Sequence, residues 1–475
     1  MSIKSLGKQS LVYGIGHILA RLVTFLLLPL YTNVFTASEY GVVALFYTFL
    51  SFMNVIMRYG LGAAFLKFYV PASDSERKAI FTNVIASLFL TGIPFFLVWH
   101  GFRNLISPII LGVNEPSFIS IMGIIIVLDT IWSIPLLGFR AENRPILFII
   151  FSLLNVGITI GLNLFLILKM NMGIRAIFLS NLSASLCIFS LSLPFIYQRF
   201  EFALLDKTRW KSIITFALPF LPAGLFSMAM EVADRYILKY LTDLSTVGIY
   251  NAGYKIGMLM MLAVTAFNFG WQPFFLEQGK RANQEKLFGK VTTLVLAGLG
   301  FIWLILMLWA DDFIQLKIMG YSFFGEEFQN SIPIVPWIAL GYLFYGFYVL
   351  QTPGIFLKDR PGIAAWTRLL GATSNIIFCF IFIPLYGAIG AAMATCLAFF
   401  LMLVMMYWWN TKLYPIRLEW RKISFITIIL ISGFFVSRGS ADNLFINILI
   451  TGLYPIGLIG SGIIKIDSFK SRVAD

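Results

Sequence analysis

"LVYGIGHILARLVTFLLLPLY", from Leu11 to Tyr31, is long and apolar enough to cross a bilayer, yet it carries His17 and Arg21 near its middle. A span needs about 20 mainly apolar residues. An arginine at the bilayer centre costs about 2.5 kcal/mol or more even on insertion scales, so it turns toward protein or water and away from lipid. This segment is therefore read as a membrane helix with one polar side.

The rest of the 475 residues agrees, with 59% hydrophobic and 12% charged residues and a mean hydropathy of +0.87. Such a chain is a polytopic membrane protein, sized by its number of spans and not by one water-excluding core. The first apolar segment lacks a small-residue cleavage site and runs past Pro29, so no cleaved signal peptide is expected. Cys187, Cys379 and Cys396 fall in apolar runs without paired spacing. With only two histidines, His17 and His100, the chain offers no zinc spacing. No nucleophile elbow or Walker A motif is present, so no metal, cofactor or catalytic residue is expected.

Apolar runs broken by charge or turn clusters predict spans at 9–34, 40–66, 79–100, 117–139, 146–168 and 174–197. A basic connector, Gln198 to Lys211, follows. Eight more spans are predicted at 213–240, 246–274, 288–309, 333–356, 362–384, 387–409, 422–437 and 444–464. Fourteen spans place both termini on one side. Of the 35 Lys and Arg residues, 24 lie in segments on that side, 6 on the other and 5 within spans. The positive-inside rule then makes both termini cytoplasmic, and the +13 net charge becomes an orientation signal and a contact with anionic membrane lipids, without any need for nucleic acid. Connections are short, the longest external one running from Asp311 to about Ser331, which leaves no room for a soluble catalytic domain.

Two stretches repeat with an offset of 207 residues: "TASEYGVVALFYT" from Thr36 and "DLSTVGIYNAGYK" from Asp243. Ser38, Gly41 and Tyr47 fall on Ser245, Gly248 and Tyr254. Spans one and two thus correspond to spans seven and eight, the internal duplication on which many secondary transporters are built.

The longer stretches around these matches, "LLPLYTNVFTASEYGVVAL" (Leu27–Leu45) and "ADRYILKYLTDLSTVGIYNAGYKIG" (Ala233–Gly257), resemble the two half-starts of polysaccharide flippases. These flippases belong to the multidrug/oligosaccharidyl-lipid/polysaccharide exporter superfamily, and the resemblance is strongest to the Wzx-type proteins of bacterial O-antigen and capsule pathways. It covers essentially the whole chain. It implies an all-α fold of 14 transmembrane helices, with two six-helix bundles around a central cavity and two extra C-terminal helices. On this chain the N-terminal lobe would be 1–197, the connector 198–211, the C-terminal lobe 212–410, and the extra helices and tail 411–475. It also implies alternating access in the bacterial inner membrane for an undecaprenyl-pyrophosphate-linked oligosaccharide. A polysaccharide polymerase is a candidate partner, and the coupling ion, H⁺ or Na⁺, is left open.

Polar stripes point to the site. Ser10, Tyr13, His17, Arg21 and Thr24 share one helical face, as do Tyr47, Ser51, Asn54 and Arg58, while Asn251 and Lys255 begin a third stripe. Two readings of the arginines compete. Arg21 and Arg58 could pair with backbone carbonyls or with Asp129 and serve packing alone. Against that, the spans hold five cations (Arg21, Arg58, Arg235, Lys255, Arg368) and three carboxylates (Asp129, Glu231, Asp234), so pairing cannot neutralise the interior. A cationic surplus favours an anionic ligand, and the guanidinium fork suits phosphate. Lipid II flippases of the same superfamily carry cations on the first, second and eighth helices, where Arg21, Arg58 and Lys255 stand here.

His17, Asn54 and Asn251 complete the expected substrate contacts, with His17 read as a neutral hydrogen-bonding group. Glu231 and Arg235, spaced i, i+4, are expected to neutralise one another. Asp234 is then left for Lys255 or Lys239 in an outer gate. Pro219 and Pro222 are expected to kink span seven. The function expected is flipping of a lipid-linked oligosaccharide to the outer leaflet, without covalent chemistry. A multidrug exporter, which would want surplus carboxylates, and a membrane glycosyltransferase or polymerase, which would want large external loops, are the rivals.

Overall fold

A computed structural model describes residues 25, 27–279, 281, 284–318, 321–439 and 443–463. The expected helix 9–34 therefore lies mostly outside the described residues, including His17 and Arg21. Two compact units divide the chain, Met1–Gly248 and Ile249–Asp475.

The first unit begins with α1 (Leu28–Val34) and α2 (Ala37–Arg58), followed by α3 (Leu61–Tyr69), α4 (Asp74–Gly101) and α5 (Arg103–Leu111). It continues through α6 (Pro116–Ala141), α7 (Pro145–Leu168), α8 (Arg175–Arg199), α9 (Lys207–Ala217) and α10 (Phe220–Leu241), and α11 (Leu244–Gly257) starts in it. Helix starts follow from local chemistry. The Thr36 hydroxyl accepts from the Glu39 N–H while the Glu39 carboxylate accepts from the Thr36 N–H. Ser73 and Glu76 repeat that box at α4, and proline opens α6 and α7.

Span two, expected to be continuous over 40–66, is instead broken. Tyr59 (φ 30°) and Gly60 (φ 80°) take left-handed backbone between α2 and α3. A Cβ at Gly60 would lie 2.1 Å from the Ala217 carbonyl oxygen, so glycine lets the end of α9 approach the break. Span seven divides at Leu218–Pro219 into α9 and α10, where proline removes a backbone donor.

The 207-residue repeat becomes a reciprocal crossing. Thr36 caps α2, and its counterpart Asp243 accepts the Thr246 N–H at 2.8 Å at the start of α11. A Cβ on Gly41 would meet the Leu244 carbonyl at 2.0 Å, and one on Gly248 would meet the Ala37 carbonyl at 1.9 Å. Ala37 and Leu244 are themselves related by the repeat offset, so each glycine admits the backbone turn that opens its partner helix. In lipid, where apolar surface gains little from helix association, such close backbone approach is a main source of packing energy.

Phe65, Phe81, Phe139 and Phe195, from α3, α4, α6 and α8, fill the core of this unit. One polar face of α4 ties down the connector. Thr82 donates to the Arg199 carbonyl, Asn83 donates to that of Leu204, and Trp210 Nε1 donates to Ser87 Oγ at 2.7 Å.

The second unit contains the rest of α11, then α12 (Leu259–Gln278), α13 (Glu285–Leu308), α14 (Ala310–Gln315), α15 (Ile334–Leu350), α16 (Pro353–Leu357), α17 (Gly362–Leu413), α18 (Trp420–Gly439) and α19 (Leu444–Gly460). Between α14 and α15 the chain is not purely helical, for Lys317–Ile318 and Tyr321–Ser322 form a two-stranded antiparallel bridge. The 52-residue α17 is two spans joined at Gly387, whose φ 54°, ψ −129° is non-helical. The last two helices pack on α13, where Tyr454 donates to the Ala297 carbonyl and Asn447 Nδ2 to that of Leu308. Eleven described helical segments are long and apolar enough to span a membrane. Dividing α17 and adding the 17-residue α19 accounts for thirteen of the fourteen expected spans.

Candidate functional site

The polar stripe of α2 lies beside α6 and α8 in the first unit. Arg58 occupies the last turn of α2, where a cation is favoured by the carbonyl ends of the helix. Opposite it on α6 is Asp129, near enough for each charge to act on the other. Among the described residues, however, they form no ion pair. Asp129 Oδ1 instead accepts Ser185 Oγ from α8 at 2.6 Å and the indole N–H of Trp132 at 2.9 Å. Arg58 Nε is buried and has no hydrogen-bond partner among the described residues. Asn54, one turn earlier, donates to the Leu50 carbonyl, but its side-chain oxygen is likewise buried without a partner there. Nearer the start of α2, Asn181 Nδ2 of α8 donates to the Tyr47 hydroxyl at 3.0 Å.

A buried guanidinium donor and a buried amide acceptor are thus left on one helical face. Each such group costs about 1–3 kcal/mol while unsatisfied, and a charged one more. A ligand carrying both acceptor oxygens and hydroxyls, such as a phosphorylated sugar, matches that set.

The acid–base groups of α10 are arranged differently. Arg235 Nη1 lies 2.7 Å from Asp234 Oδ1, and the guanidinium also donates to the Glu231 backbone carbonyl. The Arg235 N–H donates to the same Asp234 oxygen. Asp234 was expected to reach Lys255 or Lys239; the bond seen within its own helix comes from its neighbour, because an arginine one residue on can fold back onto the carboxylate. Lys239 instead caps α5, donating to the carbonyls of Pro108 and Ile109. In the second unit Asn251 is buried, and Lys255 is half-buried in the last turn of α11.

Sequence reasoning singled out Asp129 but not the residues that hold it. Ser185 and Asn181 are spaced i, i+4 in the polar run "SNLSAS" of an otherwise apolar span, and Trp132 stands three residues from Asp129. That spacing was the available signal for a fourth polar stripe.

A family model described as "Polysaccharide biosynthesis protein" matches residues 6–278, more than half of the chain. An uncharacterized membrane protein of Methanocaldococcus jannaschii is 24% identical over 263 residues, 52% of this chain and 50% of that protein. This chain therefore spans only half the length of that relative. An uncharacterized membrane protein of Haemophilus influenzae is 23% identical over 400 residues, 82% of this chain and 94% of its own length. Among solved structures, the lipid II flippase MurJ in an inward closed conformation superposes with a TM-score of 0.77 at 17% identity, covering 96% of this chain and all of that one. An inward-facing multidrug resistance MATE family transporter of the MOP superfamily gives 0.66 at 13% identity, covering 87% and 94%. The chain therefore shares its fold with these two membrane proteins.

Proposed function

We propose that this chain, which belongs to the polysaccharide biosynthesis protein family, flips an undecaprenyl-pyrophosphate-linked oligosaccharide from the cytoplasmic to the outer leaflet by alternating access. The observation that carries the reading is Arg58, a half-buried cation at the end of a span, whose Nε is buried with no hydrogen-bond partner among the described residues. Its role would be to hold the diphosphate through charge-assisted hydrogen bonds. The same reading assigns Arg21 and Lys255 to the diphosphate and His17, Asn54 and Asn251 to further substrate contacts. The sugars need only polar surroundings, and the polyprenyl tail can stay in lipid.

The direction is also favourable. With a negative cell interior, moving one net negative charge outward gains about 2.3 kcal/mol per 100 mV. H⁺ and Na⁺ are the candidate coupling ions, and a polysaccharide polymerase is the candidate partner. The side rich in Lys and Arg would face the cytoplasm of a bacterial inner membrane, with lobes at 1–197 and 212–410.

The test is Arg58→Ala in cells that display the polysaccharide. Protein level stays near normal, display is lost, and the undecaprenyl-linked glycan accumulates on the inner leaflet. Arg58→Lys, which keeps the charge but not the fork, restores display in part, whereas Asp129→Asn combined with Arg58→Ala does not. Normal display by Arg58→Ala, or its recovery in the double variant, would assign Arg58 to the fold instead. Export of cationic drugs that survives Arg58→Ala would favour the multidrug reading.

A further inference from the structure

A second cluster of charge lies where α3, α4, α6 and α8 end on the Lys- and Arg-rich side of the first unit. There the chain encloses an open cavity of about 610 Å³, lined among others by Tyr69, Lys78, Glu142, Arg144 and Arg199. Its floor is well bonded. Glu142 Oε1 accepts from the Tyr69 hydroxyl and from Arg199 Nη2, each at 2.7 Å, and Oε2 lies 3.4 Å from Arg144 Nε. Arg199 is further held by the Phe195 ring, 3.8 Å from its guanidinium carbon. Asn143, in left-handed backbone at φ 55°, turns the chain so that Glu142 and Arg144 line the same space.

Cations outnumber carboxylates along this lining, with Arg77, Lys78, Arg144 and Arg199 against Asp74 and Glu142. Both oxygens of Glu142 are used, and the Asp74 side chain is 99% exposed and only 3.4 Å from Arg77. Lys78 spends one of its three donors on Glu201 at 2.6 Å. Among the described residues, Arg144 keeps both terminal amino groups and Arg199 keeps Nη1 without an acceptor. At the rim, Arg144 is 53% exposed and Lys78 44%. A group with several anionic oxygens at one centre fits this donor surplus, and phosphate is the one that arginine forks suit.

The flanks indicate where such a phosphate comes from. Tyr197, Phe202 and Ile146, each within three residues of a lining residue, are 87%, 80% and 71% exposed. Large apolar and aromatic side chains laid bare at the ends of spans mark the level where headgroups meet acyl chains. We infer that this cavity is a binding site for the phosphate headgroup of an anionic membrane lipid, with Arg144, Lys78 and Arg199 as its donors. It is independent of any role for Arg58 and of the identity of the cargo.

The test uses the full-length protein, delipidated in zwitterionic detergent and titrated with short-chain phosphatidylglycerol while its thermal midpoint is followed. The double variant Lys78→Gln/Arg144→Gln should raise the half-saturating concentration by about 25-fold, since a cation near an anionic headgroup contributes about fivefold. Should that variant fold poorly, the rim change Arg144→Gln alone should give about fivefold. Lys207→Gln/Lys211→Gln, an equal change in charge on α9 outside the cavity, should leave the titration unchanged. Short-chain phosphatidylcholine should not saturate. An unshifted titration in the rim variants, an equal shift in the α9 variant, or saturation by the choline lipid would overturn the site. Inorganic phosphate that saturates in the same range and displaces the lipid would overturn its assignment to a lipid.

Discussion

Two arginines in described spans of the first unit each have an aspartate nearby, and they use it in opposite ways. Arg235 holds Asp234 at 2.7 Å, with the two side chains 7% and 0% exposed. Arg58 and Asp129 act on each other's charge, but Asp129 takes its hydrogen bonds from Ser185 and Trp132. The first pair is adjacent in sequence and forms on one helix. The second would have to form between α2 and α6, and Ser185 of α8 together with Trp132 of α6 bonds the carboxylate instead. A buried charge whose partner is its chain neighbour is a structural unit, whereas one whose nearest opposite charge is already bonded elsewhere keeps its capacity for a ligand.

The sharpest way to break this contrast is to remove one member of the closed pair. Asp234→Ala leaves a buried guanidinium without its carboxylate and should cost about 3–5 kcal/mol, seen as a large fall in membrane abundance and thermal midpoint. Asp129 should show the next largest effect through the residue that holds it. Ser185→Ala removes the 2.6 Å bond and should cost about 1.5–3 kcal/mol, the range for hydrogen bonds to charged groups. If Ser185→Ala is silent while Arg58→Ala is as damaging as Asp234→Ala, then Arg58 is Asp129's true partner and the contrast fails. A double-mutant cycle sharpens the same point. Arg58→Ala with Asp129→Asn should give a coupling below about 1 kcal/mol, and Asp234 with Arg235 a larger one.

Much of this architecture was legible in the sequence, and what escaped shares a physical cause. Apolar run length is set by bilayer thickness, so most of the spans were readable from composition alone. The repeat was readable because glycine at a close helix crossing cannot be replaced without a clash, and Gly41 and Gly248 prove to be the residues that cross. Breaks in the helices were less visible. Pro219 announces one, but the break after Arg58 rests on Tyr59 and Gly60 in left-handed backbone, with the Ala217 carbonyl of α9 packed against Gly60. Partners across helices were least legible of all. Arg144 and Arg199 entered the sequence reading only as two of the 24 basic residues on one side, and Glu142 not at all, because their meeting depends on which span ends lie side by side.

The smallest effect expected comes from Tyr69, at the well-bonded extreme of the comparison and outside the spans, where pH can probe it. Burial first, then the hydrogen bond it gives Glu142, pushes its hydroxyl up to about 12 from an ordinary 10.0. A group that holds its proton more tightly when folded stabilises the protein fully below the unfolded value, and that contribution fades as pH rises toward the folded one. Tyr69→Phe should therefore cost about 0.5–1.5 kcal/mol near pH 8, the worth of one hydrogen bond. Between pH 10 and about 12 the gap between the two proteins should close, because only the native protein has a phenol to lose. The measurement is the difference in thermal midpoint of the purified proteins across that window. A gap that stays constant to pH 12 would mean that Glu142 is held by Arg199 and Arg144 alone, which would place this cluster nearer to Asp234–Arg235, where a guanidinium is the side-chain donor to the carboxylate.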